Sequence, residues 1–461
     1  MAKDLLRGRL AKYIPPKEEW TPVDEALYGV EDIYNVPEEK AKKLREDAIR
    51  YSFRHHYEGN KFYHEYCKGR GVGPDDIKTE EDFKKIPLVP DTFFKSYPDI
   101  EEDRGKGFLE WLENIYTGEL PKIELKKRKP SYDDVIEELV KKNVYLTFSS
   151  STSGKFSFIP RDWLSFSRAR FSTKDAIRLL TPYDDLETLE PFPPKNVGVA
   201  MFMPDPSKTY LYIASLFKAL INDVYKESEK VYLTDMPLTT ELMSISLGRA
   251  KGIKGKIISR VMTLSRKKIM SNYIKYLKKW EKEGRTIILG GPPSTIDPLM
   301  SLMEKEGIRM RYENAVAYTG GGWKAMGKSL SSEEFKKKMK KCFGIPEKNI
   351  KDAYGMNEIT ALPMECEGYY KHIPCVLQPY ALDEEMNPLP YGEHGRFAFL
   401  DPLANSYPGF IVTGDRVKLL EHCPVCDRHG PVLGPEIERM TGVEAKGCAG
   451  AMAKIIEEMP E

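Results

Sequence analysis

The stretch that decides the fold is Asn143–Lys155, NVYLTFSSSTSGK, in which a short apolar run passes directly into hydroxyl residues, glycine and lysine. The pattern recurs: NVGVAMFM (196–203) precedes PDPSKT, and TIILGG (286–291) precedes PPSTIDPLM. Further along stand AVAYTGGGW (315–323) and KDAYGMNE (351–358). Strands that alternate with helical stretches predict an α/β fold, whose ligands bind at the carboxyl ends of the strands. We therefore expect these loops to converge on one site.

Outward from this core the chain divides into three predicted regions. Residues 1–95 carry mixed charge with aromatic residues at helical spacing, which predicts a helical region packed on the main domain. Residues 96–405 form the main α/β domain, and residues 406–461 form a short C-terminal subdomain with the motifs IVTGD and HCPVC and a cysteine in its tail. A basic run at 336–341 on a predicted helix indicates a solvated face.

Composition excludes several classes of protein. The 461 residues include 71 Lys plus Arg and 70 Asp plus Glu, so the net charge of +1 argues against a nucleic-acid binder. Seven cysteines in so long a chain do not suggest a secreted disulfide framework. We expect no signal peptide, because the first 20 residues contain no continuous apolar stretch, and no window of the sequence approaches the roughly 20 apolar residues of a membrane-spanning helix. We expect a soluble cytoplasmic protein without a membrane span, and a homo-oligomer is compatible with these features.

The loop after the first strand suits a phosphate group, because its hydroxyls and backbone N–H groups can donate and its lysine carries a point charge. Its spacing is not that of a P-loop, which would need Gly at 149 and Ser or Thr at 156. An ordinary polar turn is the alternative. The candidate phosphate-binding residues are Ser149, Ser150, Ser151, Thr152, Ser153, Gly154 and Lys155.

Three further loops carry candidate ligand-binding groups. Three consecutive glycines allow close approach of a flat ligand, and the tryptophan that follows can lie beside it. The motif YGMNE delivers an aromatic ring and a carboxylate able to hold Mg²⁺. TGD at 413–415 places a carboxylate at a turn, where it could accept from sugar hydroxyls. Each could instead be an unremarkable turn or surface acid. The residues are Gly320, Gly321, Gly322, Trp323, Tyr354, Gly355, Met356, Asn357, Glu358 and Asp415.

The order of these loops resembles the adenylate-forming superfamily of acyl-CoA synthetases and related ligases. GGGWK at 320–324, KGC at 446–448 and DDIKTEEDFKKIPLVPDTFFKS near the N-terminus narrow the likeness. They are similar to the acyl-protein synthetases, the fatty-acid-activating component of the bioluminescence fatty acid reductase complex, and to phenylacetate-CoA ligases. The resemblance implies a large multi-sheet N-terminal domain, with helices on the sheets, and a truncated C-terminal subdomain.

The resemblance also implies a role for each motif. The 149–155 loop would hold the ATP phosphates, and Gly320–Gly322 with Tyr354 would border the adenine. Glu358 would coordinate Mg²⁺, and Asp415 would bind the ribose hydroxyls. A carboxylic acid, most simply a fatty acid, would attack the α-phosphorus to give an acyl-adenylate. Asn357 departs from the family, which usually has Thr or Ser there.

Cys448 is the candidate acyl carrier, because acyl-protein synthetases hold the acyl group as a thioester on a cysteine near the C-terminus. Lys446 and flanking glycines would favour a mobile thiolate. A small buried cysteine is the alternative. The acyl group would then pass to an acyl-CoA-reductase-like partner protein. The 46 residues that follow Asp415 are too few for a complete lid with its catalytic lysine, so either Lys446 or Lys454 replaces that lysine or its role is absent.

Cys423-x-x-Cys426 is half of a tetrahedral zinc site, although redox pairs share this spacing. Cys366 and His372 are the candidate second half, and a similar arrangement occurs in some phenylacetate-CoA ligase relatives. Four such ligands would make the zinc structural. The spare candidates are Cys375, His422 and His429.

Two rivals to an ATP-dependent acyl-protein synthetase remain at the level of sequence. An arylacetate- or acyl-CoA ligase would keep adenylation but use free CoA as the acceptor. An inactive zinc-stabilised scaffold within a complex would bind no ATP.

Overall fold

The computed structural model describes residues 2–149, 155–180, 196–234, 237–246, 268–321 and 330–440. Ser150–Gly154, Gly322, Trp323 and the tail with Lys446, Cys448 and Lys454 lie outside these ranges. Among the described helices, none is long and apolar enough to cross a membrane.

The described strands are, in chain order, β1 (Val89–Pro90), β2 (Tyr145–Ser149), β3 (Ser157–Arg161), β4 (Val197–Met201), β5 (Glu229–Tyr232), β6 (Thr286–Gly290), β7 (Val316–Gly320), β8 (Ile350–Ala353), β9 (Met364–Glu365), β10 (Lys371–His372), β11 (Gln378–Leu382), β12 (His394–Leu400), β13 (Phe410–Leu420) and β14 (Val432–Arg439). The described α-helices are α1 (Ala2–Arg9), α2 (Pro22–Tyr28), α3 (Glu38–Gly59), α4 (Lys61–Lys68), α5 (Lys106–Ile115), α6 (Tyr132–Val140), α7 (Trp163–Leu180), α8 (Tyr212–Lys218), α9 (Thr240–Ser246), α10 (268–282), α11 (Pro293–Lys305) and α12 (Ser332–Phe343).

The chain divides into two compact units, one built mainly from Ala176–Gly355 and the other mainly from Lys12–Asp175 and the chain from Gly368 onward. The predicted division into three regions stays a prediction.

The first unit contains the parallel sheet that the repeated strand-loop pattern predicts. Its strands lie in the order β5-β4-β6-β7-β8, all parallel, and β9 pairs antiparallel with β8. The central strands are buried, so they consist of continuous apolar runs. Gly198 on β4 lies beneath the indole of Trp280, and a Cβ there would come within 2.4 Å of the ring. Close contact between strand and helix therefore requires glycine at this position.

The expectation of a solvated lysine face on α12 is wrong for Lys336. Its side chain is buried and its Nζ donates to Glu365 Oε2 at 2.7 Å. Glu365 also accepts from the backbone N–H of Asp352 at 2.9 Å, so the carboxylate links α12, β8 and β9. The other lysines of the run remain partly or well exposed.

The second unit is mainly antiparallel. Strands β11, β12, β13, β14 and β10 pair in that order, and β1 adds parallel to β13. Strands β2 and β3 form a separate hairpin, in which Ser149 pairs with Ser157. The hairpin brackets the predicted phosphate loop, because β2 leads into it and β3 follows it.

Candidate active site

The hairpin of β2 and β3 presents the described ends of the predicted phosphate loop. Ser149 is the last residue of β2, and Lys155 lies just before β3. Lys155 Nζ donates to the carbonyl oxygen of Tyr97 at 3.0 Å and lies 5.1 Å from the centre of the Tyr97 ring. The lysine charge is therefore held beside an aromatic face at the base of the loop.

The predicted adenine-binding residues of the first unit lie at two neighbouring strand ends. Gly320 ends β7 and pairs with Ala353, the last residue of β8, so Gly320 and Tyr354 are close in the register. A Cβ on Gly320 would lie 3.4 Å from the carbonyl oxygen of Ala353. Gly321 has a φ of +78°, which favours glycine. Tyr354 is buried, whereas Gly355 is only partly so.

Asn357 is fully enclosed and ties the YGMNE segment to the hairpin. Its Nδ2 donates to the carbonyl oxygen of Ser157 at 2.9 Å. Its Oδ1 accepts from Thr147 Oγ1 at 3.2 Å. The amide thus bonds to both strands of the hairpin, which gives a structural reason for Asn where the family pattern has a hydroxyl residue. Met356, its neighbour, is partly buried.

Sequence reasoning missed Arg161, the last residue of β3, whose side chain is 0% exposed. Its Nη2 donates to the carbonyl oxygen of Asn357 and, at 3.1 Å, to the hydroxyl of Tyr407. Its Nη1 donates to Thr147 Oγ1 and lies 3.4 Å from Asn357 Oδ1. We call Thr147, Ser157, Arg161, Asn357, Glu358 and Tyr407 the arginine network. One guanidinium therefore fixes both the backbone and the side chain of the YGMNE segment.

Glu358 is a buried carboxylate beside the hairpin. Its Oε1 accepts from Ser157 Oγ, and its backbone carbonyl accepts from the Tyr407 hydroxyl at 3.2 Å. Burial raises the pKa of Glu358; nearby Lys95 lowers it, and Asp91 raises it. Burial makes this carboxylate costly to ionise, and a bound cation would stabilise its charged form. The position is therefore consistent with the predicted Mg²⁺ ligand.

The prediction that Asp415 stands at a turn is wrong. Thr413, Gly414 and Asp415 lie inside β13, where Asp415 pairs with Arg439 of β14. Arg439 Nη1 donates to Asp415 Oδ1 at 2.9 Å, and Nη2 donates to Asp91 Oδ2 at 3.3 Å. The glycine in TGD suggests a turn, but Gly414 leaves room for the guanidinium, which lies 3.1 Å from the Cβ it would carry. Asp415 keeps a partly exposed carboxylate at this edge.

The four predicted zinc ligands are brought together. One ligand atom from each of Cys366, His372, Cys423 and Cys426 lies within 4.8 Å of every other. Cys426 Sγ is 3.1 Å from His372 Nε2. None of the three spare candidates joins this group among the residues the structure covers. Three thiols and an imidazole are the donor set that suits a closed tetrahedral zinc site.

The other described cysteines are not part of this cluster. Cys67 and Cys342 are buried, and burial raises the pKa of the Cys67 thiol to about 12. Burial likewise raises the pKa of Cys375 to about 12. A neutral thiol is a poor nucleophile, so these three cysteines are poor candidates for an acyl carrier.

Comparison with known proteins supports the family that the motifs indicate. A family model described as acyl-protein synthetase, LuxE, matches residues 249–457. The chain is 25% identical over 430 residues to the long-chain-fatty-acid–luciferin-component ligase of Aliivibrio fischeri, covering 91% of this chain and 90% of the relative. It is also 25% identical over 443 residues to the ligase of the same name from Vibrio harveyi, covering 94% and 93%.

Solved structures support the fold. A structure of 2-hydroxyisobutyryl-CoA ligase in complex with 2-HIB-AMP and CoA matches with a TM-score of 0.54 and 14% identity. The match covers 93% of this chain and 73% of that one. The predicted α/β adenylate-forming fold is thereby confirmed. The chain is therefore similar in sequence to the acyl-protein synthetases and has the fold of the adenylate-forming enzymes.

Proposed function

We propose that the protein activates a fatty acid with ATP and Mg²⁺ as its acyl-adenylate and then captures the acyl group as a thioester on Cys448. The two curated relatives are named as long-chain fatty acid ligases, and each alignment spans at least nine-tenths of both chains. The observation that carries the proposal is the buried contact of Glu358 with Ser157, which joins the YGMNE carboxylate to the strand that follows the phosphate loop.

In this proposal, Ser149–Gly154 and Lys155 bind the ATP phosphates, and Gly320–Gly322 and Tyr354 border the adenine. Trp323 lies beside the base, and Asp415 accepts from the ribose hydroxyls. A substrate carboxylate oxygen forms a bond to the α-phosphorus while the bond to pyrophosphate breaks. Lys155 offsets negative charge that would repel the incoming carboxylate, and bound Mg²⁺ would supply further positive charge at Glu358.

The arginine network acts on this chemistry by position. Arg161 and Asn357 fix the backbone from which Glu358 projects, so the carboxylate cannot turn away from the hairpin. Preorganised charged groups cost no reorganisation at the moment of reaction. Arg161 is thus a positioning residue, while Glu358 is the proposed metal ligand.

Capture of the acyl group completes the proposed reaction. The thiolate of Cys448 bonds to the acyl carbon and AMP leaves with the electrons of the broken acyl–phosphate bond. A partner protein with reductase activity would then take the acyl group from the thioester. Cys448 lies outside the described residues, so its role rests on the KGC motif near the C-terminus.

We propose a structural Zn²⁺ held by Cys366, His372, Cys423 and Cys426. Cys366 and His372 are fully buried, while Cys423 and Cys426 are partly so. Four protein ligands fill all four positions of a tetrahedral zinc ion and leave none open for water or substrate. The ion would therefore stabilise the 423–426 loop and take no part in the reaction.

The test is ATP–pyrophosphate exchange across fatty acids of different chain length, with arylacetates for comparison. E358Q should lower exchange about 10²- to 10³-fold, the range for loss of a group that stabilises charge in the transition state. E384Q, at an exposed turn carboxylate, is the matched control and should exchange at the wild-type rate. Wild-type exchange by E358Q would contradict the proposed metal ligand, and absence of exchange with every acid would overturn adenylation.

The acceptor is tested separately. Radiolabelled fatty acid and ATP should label the wild-type protein with a hydroxylamine-sensitive bond, and C448A should keep pyrophosphate exchange but lose the label. Retention of the label in C448A would remove Cys448 from the mechanism. Formation of acyl-CoA by C448A with free CoA would instead favour a CoA ligase.

A further inference from the structure

A cavity in the second unit belongs to neither the proposed nucleotide site nor the cysteine cluster. Its volume is about 120 Å³, and it lies between the start of α3, the segment 373–379 and the segment 421–431. An engineered cavity of about 150 Å³ holds benzene, so this space suits a group of a few heavy atoms. Its walls are tied together, since Cys375 N–H donates to Ile33 O at 2.7 Å and Ile373 N–H donates to Pro431 O at 3.1 Å.

An unsatisfied acceptor lines the cavity. Gln378 is 8% exposed, and its Nε2 donates to the carbonyl oxygen of Pro379 at 3.3 Å. Its Oε1 is buried and has no hydrogen-bond partner among the described residues. Buried polar atoms in folded proteins nearly always have a partner, so an orphaned amide oxygen at a cavity wall indicates a ligand that donates.

The charges at the cavity favour a cation. The one arginine in its wall, Arg45, is already engaged: Nε donates to Glu80 Oε1 at 3.0 Å and Nη1 to Cys375 O at 3.3 Å. Glu38 and Glu421 also line the cavity, and neither has an ion-pair partner within the ranges that the structure covers. The two uncompensated carboxylates therefore leave the cavity with a net negative charge.

Aromatic and apolar groups complete the lining. Tyr391 is 48% exposed at the cavity, and Tyr34 is held in the wall by a hydrogen bond from its hydroxyl to Leu362 O at 2.7 Å. Ile373 and Pro374 provide an apolar wall. A tyrosine ring attracts a cation over its face, while aliphatic walls accommodate a methylene stem.

We infer that this cavity binds an alkylammonium or alkylguanidinium group, either the side chain of a lysine or arginine on a partner protein or a free aliphatic amine. The N–H groups of the ligand donate to Gln378 Oε1, its charge is offset by Glu38 and Glu421, and its stem lies along Ile373. The inference is independent of adenylation, because it uses no residue of the proposed nucleotide site.

The probes are n-butylamine, n-butylguanidine and an acetylated, amidated tetrapeptide with one central lysine, each titrated into the full chain at low ionic strength and followed by NMR or calorimetry. Saturable binding of a cationic probe, with none by butyrate at the same concentration, is expected. Binding of the peptide tighter than butylamine would assign the site to a partner side chain, and the reverse order would assign it to a free amine. No saturable binding of any cation, or equal binding of butyrate, would overturn the inference.

Three single variants at the cavity and one control variant localise the binding. E38Q and E421Q should each weaken binding about two- to fivefold, the size expected for a solvent-exposed charge pair, whereas E385Q, at an exposed carboxylate that does not line the cavity, should not. Q378M removes the orphaned acceptor at similar side-chain length and should weaken binding further. All four variants should retain wild-type ATP–pyrophosphate exchange, which shows that the fold persists. Undiminished butylamine binding in the double variant E38Q/E421Q would place the cation elsewhere and overturn the inference.

Discussion

Two polar clusters of this protein differ in how their buried groups are satisfied. In the arginine network, the two terminal nitrogens of Arg161 and the amide nitrogen of Asn357 donate to protein acceptors on β2, β3 and the YGMNE segment. In the cysteine cluster, thiols and an imidazole face each other, and the buried Nδ1 of His372 has no hydrogen-bond partner among the described residues.

The difference indicates two kinds of stabilisation. Several hydrogen bonds within the chain hold the network together, so its stabilisation is distributed over bonds of about 1 kcal/mol each. The cysteine cluster instead gathers three thiols and an imidazole, and we expect the proposed ion to hold these ligands. Removing the ion should therefore affect stability more than removing any single group of the network.

The largest expected effect is loss of the proposed zinc. C426S should abolish stoichiometric zinc, measured by plasma mass spectrometry, and lower the free energy of unfolding by about 5 kcal/mol or more, since structural zinc contributes about 10 kcal/mol or more in zinc-finger peptides. The control C375A removes a thiol outside the cluster and should retain zinc. A protein that purifies without metal, and whose C426S variant is equally stable, would contradict the prediction.

The next effect concerns Arg161. R161M leaves the carbonyl oxygen of Asn357 and the Tyr407 hydroxyl short of a partner, so we expect a loss of about 2–4 kcal/mol in urea unfolding. The matched control R416M changes an exposed arginine on β13 and should cost little. R161M should also lower kcat for exchange more than it raises KM. An equal loss of unfolding free energy in R161M and R416M would show that the arginine network contributes no more to stability than an exposed arginine does.

Asp401 should make the free energy of unfolding depend on pH. Burial raises the pKa of Asp401 from 3.8 to about 6, although the backbone N–H groups of Thr360 and Leu403 lower it. Because the folded state binds this proton more tightly, the stabilisation is present below about pH 4 and is lost as the pH rises through 6. It amounts to about 3 kcal/mol at most. In D401N this component should vanish from unfolding curves measured between pH 4 and 7; an unchanged slope would contradict the assignment.

The smallest expected effect concerns Arg439 and its two carboxylate partners, Asp415 and Asp91. Arg439 is 53% exposed at its side chain, so its bonds to Asp415 and Asp91 are weakened by solvent. R439Q should cost about 1 kcal/mol or less in thermal unfolding. If Asp415 binds ribose, R439Q should raise KM for ATP with kcat unchanged. K418Q on the neighbouring strand β13 is the control, and a large loss of stability in R439Q alone would show that the contact of Arg439 with Asp415 is structural.

Local patterns in the sequence predicted the parts that depend on local chemistry. Strands β4, β6 and β7 could be predicted because buried parallel strands consist of continuous apolar residues. The cysteine cluster could be predicted because two cysteines separated by two residues are a common half of a tetrahedral zinc site. The prediction of a turn at TGD was wrong, because the sequence does not distinguish a glycine within a strand from a glycine at a turn.

The sequence by itself determined the α/β class, the strand-loop motifs that mark an adenylate-forming ligase and the identity of the cysteine cluster. Only the tertiary structure decided which charged groups are buried. Arg161 and Lys336 look like surface residues in the sequence, because burying a charge is favourable only when distant acceptors enclose it. Those acceptors, Asn357 and Glu365, lie 196 and 29 residues away along the chain. The charges can therefore be placed only after the strands have assembled.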